Sequence, residues 1–113
     1  MRLLFVCNQG RNRSRSAAEL LEESHETRYA GLYSERPLSK VDLVWADVIF
    51  VMEEFQRREI ASRFPDEYLK KQILSLDIPD MFSYNDPELL ELLEARLRNA
   101  QPLLELRLGF GQR

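Results

Sequence analysis

The sequence predicts an α/β fold, a four-stranded parallel sheet with helices on both faces. Four short apolar runs alternate with four helix-forming stretches along the 113 residues, the pattern from which parallel sheets with right-handed crossovers are built. The first and third runs are apolar at consecutive positions rather than at alternate ones, as strands covered on both faces must be. No Gly/Ser-rich or polar stretch divides the chain, so residues 1–113 are expected to form one domain.

Arg2 to Cys7, rich in Leu, Phe and Val, is the first strand. From Ser14 onward, Ala17, Ala18, Leu20 and Leu21 are interspersed with Glu19, Glu22 and Glu23, an amphipathic helix capped by Ser14 or Ser16 and ending near His25. Arg28 to Tyr33 reads as the second strand, ahead of the turn Ser34-Glu35-Arg36-Pro37, and Leu38 to Trp45 as a helical link. Asp47 to Met52, with Val48, Ile49, Phe50 and Val51 consecutive, is the third strand. Glu53 to Arg63 is a helix that Pro65 stops, and Lys71 to Leu76 is the fourth strand. After a loop from Asp77 to Asn85, Asp86-Pro87-Glu88 opens the last helix with a capping carboxylate, proline at the first helical position and an acid in the first turn. Leu89, Leu93, Leu97, Ala100 and Leu104 mark its buried stripe. Pro102 is expected to kink or restart the helix. Leu103, Leu106 and Leu108 form a surplus suited to a partner's surface.

With 44% hydrophobic residues there is apolar surface enough for a core, at a size where about two thirds of the unfolded surface becomes buried. The net charge of −3 and pI of about 5.2 give no reason to expect binding to nucleic acid or an anionic membrane. The apolar N-terminal run is too short for a signal peptide's core or a membrane span, so a cytoplasmic location is expected. One cysteine makes no internal disulfide and no zinc cluster, and no metal or cofactor is expected. Cys7 is therefore either an inert core residue or a reactive thiol.

Its position favours the second. In parallel sheets ligands sit beyond the carboxyl ends of the strands, where Cys7 stands. The segment Asn8-Gln9-Gly10-Arg11-Asn12-Arg13-Ser14 that follows contains a glycine and leads into a helix N-terminus. Backbone N–H groups there converge on an anion, and the same field favours a thiolate. Arg13, six positions after Cys7, is placed to fold its planar fork back over the sulfur and pair with two phosphoryl oxygens. Ser14 is placed to donate a hydrogen bond to the sulfur. Arg11 and Arg15 are either solvated rim residues or contacts for a substrate with further negative charge.

This Cys-x5-Arg-Ser arrangement after a buried strand resembles the low-molecular-weight protein tyrosine phosphatase family, and in particular its short bacterial branch. Leu3-Leu4-Phe5-Val6-Cys7, Arg13-Ser14 and Ala17-Ala18-Glu19 match the family's opening, Ala30-Gly31 its second strand, Trp45 through Met52 its third, and Leu76-Asp77-Ile78-Pro79-Asp80 its acid loop. The resemblance implies a three-layer, phosphatase-I-like sandwich with strand order 2-1-3-4. It also implies a metal-independent phosphomonoester hydrolase acting through a phosphocysteine on Cys7, with Asn8 to Ser14 binding phosphate and Asp80 as general acid. Asp77 and Asp86 are the rivals for that acid, although Asp86 has a sufficient role as a helix cap. Phe82 and Tyr84 would wall the substrate slot, and the substrate would be a phosphorylated protein or a small phosphomonoester.

The sequence departs from the family pattern at Asn12, where a second cysteine is usual, and at Arg15 and Met81, where prolines are usual. Oxidised Cys7 would thus need an external thiol for rescue. A segment between the second and third strands that walls the slot in longer members is absent. Other readings on a similar scaffold are an arsenate reductase using external thiols, a phosphocysteine carrier, and a phosphate- or phosphoprotein-binding module with little activity. The Cys-x5-Arg clamp speaks against the carrier.

Overall fold

The computed structural model describes the backbone of residues 1–108 and the side chains of residues 1–102. Four parallel strands, β1 (Arg2–Cys7), β2 (Glu26–Gly31), β3 (Val48–Val51) and β4 (Gln72–Ser75), form one sheet in the order β2-β1-β3-β4. The register sets Leu3 against Val48 and Thr27, and Cys7 against Gly31. The expected strand order is thus observed; β1 has the expected bounds, and the ends of β2, β3 and β4 are shifted by one or two residues.

Side chains along β1 and β3 alternate between two cores, which is why the strands are apolar at every position from Leu3 to Cys7 and from Val48 to Val51. Leu3, Phe5, Cys7, Val48, Phe50 and Met52 face α1 (Arg13–Leu21) and α5 (Pro87–Leu108), whose Ala17, Ala18, Leu89 and Leu93 close that layer. Phe5 and Phe50 stack there with centroids 5.1 Å apart. Leu4, Val6, Ile49 and Val51 face the opposite layer, made by α2 (Lys40–Trp45), α3 (Glu54–Arg63) and α4 (Pro65–Lys70).

Helix starts differ from the sequence reading: α2 begins at Lys40, capped by Ser39, rather than at Leu38, and Glu53 caps α3 rather than opening it. Ser14 and Ser16 do not cap α1; they lie inside it and are buried, and their hydroxyls serve Cys7 and the backbone N–H of Asn85. Pro65 opens α4 rather than merely ending α3, since the first helical position needs no N–H and suits proline's fixed φ. The expected cap of α5 is present, Asp86 Oδ1 accepting from the Glu88 N–H at 2.9 Å, and the helix continues through Pro102. Leu97 and Ala100 pack against the first core as expected. The side chains of Leu103, Leu104, Leu106 and Leu108 lie outside the described residues. No helix among the described residues is long and apolar enough to cross a membrane.

Candidate active site

Where β1 ends, the chain curls through residues 8–12 and enters α1. Gly10 makes the curl possible. Its φ of +67° is open to glycine, and a Cβ there would lie 2.8 Å from the Gly31 N. Gly31 is equally constrained, since a Cβ on it would lie 2.4 Å from the carbonyl carbon of Gln9. The loop therefore rests directly on the end of β2, backbone against backbone.

At the centre of the curl lies the Cys7 sulfur. It accepts the Gly10 N–H at 3.1 Å and lies 3.0 Å from the Ser14 hydroxyl, a hydrogen bond that either group can donate. Arg13 is 1% exposed, the largest fully buried side chain among the described residues. Its Nη1 donates to Glu53 Oε1 at 2.5 Å and to the Ile78 carbonyl at 2.7 Å, while Nη2 stands 3.6 Å from Asp80 Oδ2. With Nη1 committed, the other guanidinium donors remain for a ligand. Cys7, Gln9, Arg11, Asn12, Arg13 and Asp80 line a pocket of about 190 Å³.

Most of the residues expected at the site are thereby brought together, and three are not. Asn8 uses its side-chain oxygen to accept from Gln56 Nε2 at 2.9 Å rather than lining the pocket. Phe82 packs its ring against the first core. Tyr84 bonds its hydroxyl to Glu19 and lies under the Arg15 guanidinium, 4.1 Å from its ring centre. Neither aromatic lines the pocket: Phe82 is half-buried against the core, and Tyr84, itself exposed, is held by Glu19 and Arg15 of α1. Arg15 also donates to Glu19 at 3.2 Å. The Glu19 carboxyl is held below its ordinary value, first by the Tyr84 hydroxyl and then by Arg15, and the same bond to Glu19 raises the Tyr84 phenol. Asp77 and Asp86 are not among the residues that line the pocket, whereas Asp80 is.

Two residues of the site were not singled out from the sequence. Glu53 and Gln56 follow β3, whose end lies beside that of β1. Glu53 fixes Arg13. Gln56, completely buried, accepts from the Met52 and Glu53 N–H groups at 2.8 and 2.9 Å and donates to Asn8, tying the loop to the neighbouring strand. Their place directly after a central strand was the available signal. The loop that carries Asp80 is tied down as well. Arg13 donates to Ile78 O, Asn12 Nδ2 donates to Phe82 O at 3.2 Å, and Asn85 N donates to Ser16 Oγ at 2.9 Å. Among the described residues no group of three or more His, Cys, Asp or Glu is arranged to hold a metal ion.

No family model and no curated protein matches the sequence. Solved structures do match the fold. The YwlE arginine phosphatase of Geobacillus stearothermophilus superposes with a TM-score of 0.68 at 22% identity, over 95% of this chain and 96% of that one. The tyrosine phosphatase Wzb of Escherichia coli, in complex with phosphate, gives 0.74 at 18% identity over 90% and 97%. A low-molecular-weight protein tyrosine phosphatase from T. tengcongensis gives 0.69 at 19% over 93% and 98%. This chain thus has the fold of the low-molecular-weight protein tyrosine phosphatases, spanning nearly the whole length of the structures it resembles.

Proposed function

We propose that the protein is a metal-independent cysteine phosphatase acting on phosphomonoesters, with protein phosphotyrosine as the simplest substrate. The observation that carries this reading is the sulfur of Cys7, held by the Gly10 N–H and the Ser14 hydroxyl in a pocket that Arg13 and Asp80 also line. Arg13 and the loop's N–H groups take the phosphoryl oxygens and stabilise the charge that spreads over them in the transition state. The Cys7 thiolate attacks phosphorus in line, the phosphorus–oxygen bond to the leaving group breaks, and Asp80 gives its proton to that oxygen. Asp80, now a carboxylate, accepts a proton from water as the water's oxygen attacks the phosphocysteine. Inorganic phosphate leaves, and Ser14 stabilises the departing thiolate.

The neighbours include a tyrosine and an arginine phosphatase, so phosphoarginine is the second substrate to test. A phosphate-binding module with little turnover is favoured by one observation, the 58% exposure of the Asp80 side chain, beside a Met81 that is itself exposed. Hydrolysis of p-nitrophenyl phosphate with and without EDTA and vanadate decides between the phosphatase and the binding module, and rates on phosphotyrosine and phosphoarginine compare the two substrates. Expected is metal-independent, vanadate-inhibited turnover that disappears in Cys7→Ser while vanadate still binds, and loss of both in Arg13→Ala. A folded protein that binds vanadate without turnover is the binding module.

A further inference from the structure

Three arginines lie within five residues of the loop, and the structure gives them different tasks. Arg13 is buried on Glu53, Ile78 and Asp80. Arg15 is bound to Glu19 and stacked on Tyr84. Arg11 is exposed, lines the pocket and forms no hydrogen bond or ion pair among the described residues. The six residues that line the pocket include no aromatic ring, so the mouth offers a leaving group a full positive charge in place of a stacking surface. In a chain of net charge −3, that charge has a local use or none.

We infer that Arg11 is a specificity residue, selecting phosphomonoesters that carry a carboxylate on the leaving-group side, such as a phosphorylated residue flanked by acidic ones. The inference rests on the phosphate-binding reading of the loop. The guanidinium fork matches a carboxylate in shape and charge, and it repels a cationic leaving group, so phosphoarginine is selected against. The pocket's partial shelter strengthens the pairing relative to open water, and added salt weakens it.

Non-hydrolysable ligands separate this inference from the question of turnover. Calorimetric titration at low ionic strength compares 4-carboxybenzylphosphonate with its neutral isostere 4-carbamoylbenzylphosphonate. The carboxylate is expected to bind roughly 2- to 10-fold more tightly to the wild type, the range of a partly exposed ion pair. That ratio is expected to fall to about one in Arg11→Gln, to invert in Arg11→Glu, and to shrink as salt is raised. A ratio near one in the wild type, a ratio that survives Arg11→Gln, or failure of both ligands to bind overturns the inference. Hydrolysis of p-nitrophenyl phosphate by the same wild-type preparation reports separately. Absent turnover with retained selectivity removes the phosphatase reading alone, and turnover without selectivity removes the Arg11 subsite alone.

Discussion

Asp80 stands at the pocket's edge, 3.6 Å from Arg13 Nη2, with most of its side chain in solvent. A carboxyl so placed matters in proportion to how badly the leaving oxygen needs a proton. Asp80→Ala is expected to slow hydrolysis of phosphotyrosine by roughly 10² to 10⁴ and of p-nitrophenyl phosphate far less, since nitrophenolate leaves unaided. The readout is kcat/KM, which covers the steps through cleavage of the phosphorus–oxygen bond; equal loss of kcat/KM on both substrates would show that Asp80 does not protonate the leaving oxygen. Cys7 and Arg13 were legible in the sequence because their spacing is unusual and their chemistry specific. Glu53 and Gln56 were not, because Glu and Gln are ordinary on helix exteriors; only the parallel pairing of β1 with β3 turns them toward the loop. Phe82 and Tyr84 were read as slot walls from their nearness to Asp80 in the chain. The loop instead lays the Phe82 ring against the core and the Tyr84 ring under Arg15.

At the scale of elements, the loop from Asp77 to Asp86 is irregular in form yet held at both ends and in its middle. Asp77 and Asn85 take positive φ values of 54° and 60°, which turn the chain sharply on either side. Between them, the tie from Asn12 to the Phe82 carbonyl falls two residues from Asp80. Asn12→Ala removes that tie without touching Cys7 or Arg13. It is expected to lower kcat/KM for phosphotyrosine several-fold, with a smaller loss for p-nitrophenyl phosphate, because the acid and not the nucleophile is loosened; a neutral hydrogen bond contributes about 0.5–1.5 kcal/mol. Equal losses on the two substrates would show that Asn12 serves the phosphate seat itself. The regular elements were readable from the sequence because each strand is a short apolar run beside a polar break. Strand ends moved slightly, since pairing partners and not propensity decide where a ladder stops. Pro65 was read only as a terminator, although a proline followed by two acids equally signals a helix start.

For the molecule as a whole, stability rests on two cores separated by the sheet, with Phe5 and Phe50 stacked in the one that also contains Cys7. Phe50→Ala is expected to cost about 3–5 kcal/mol through lost burial and the cavity it leaves. That is a large part of the roughly 5–15 kcal/mol available to a protein of ordinary stability. Urea unfolding measures the loss, and a change under about 1 kcal/mol would show that the core collapses around the gap. The sheet order was implied by the family resemblance; composition and periodicity indicate four parallel strands but do not distinguish this order from others. That Cys7 is the chain's only cysteine has a practical consequence. At 3% exposure in the pocket, it makes thiol modification a reporter on one place alone. The label incorporated per chain counts intact sites, the rate of labelling follows how often the pocket admits a reagent, and any ligand seated over the sulfur registers as protection without a chromogenic substrate.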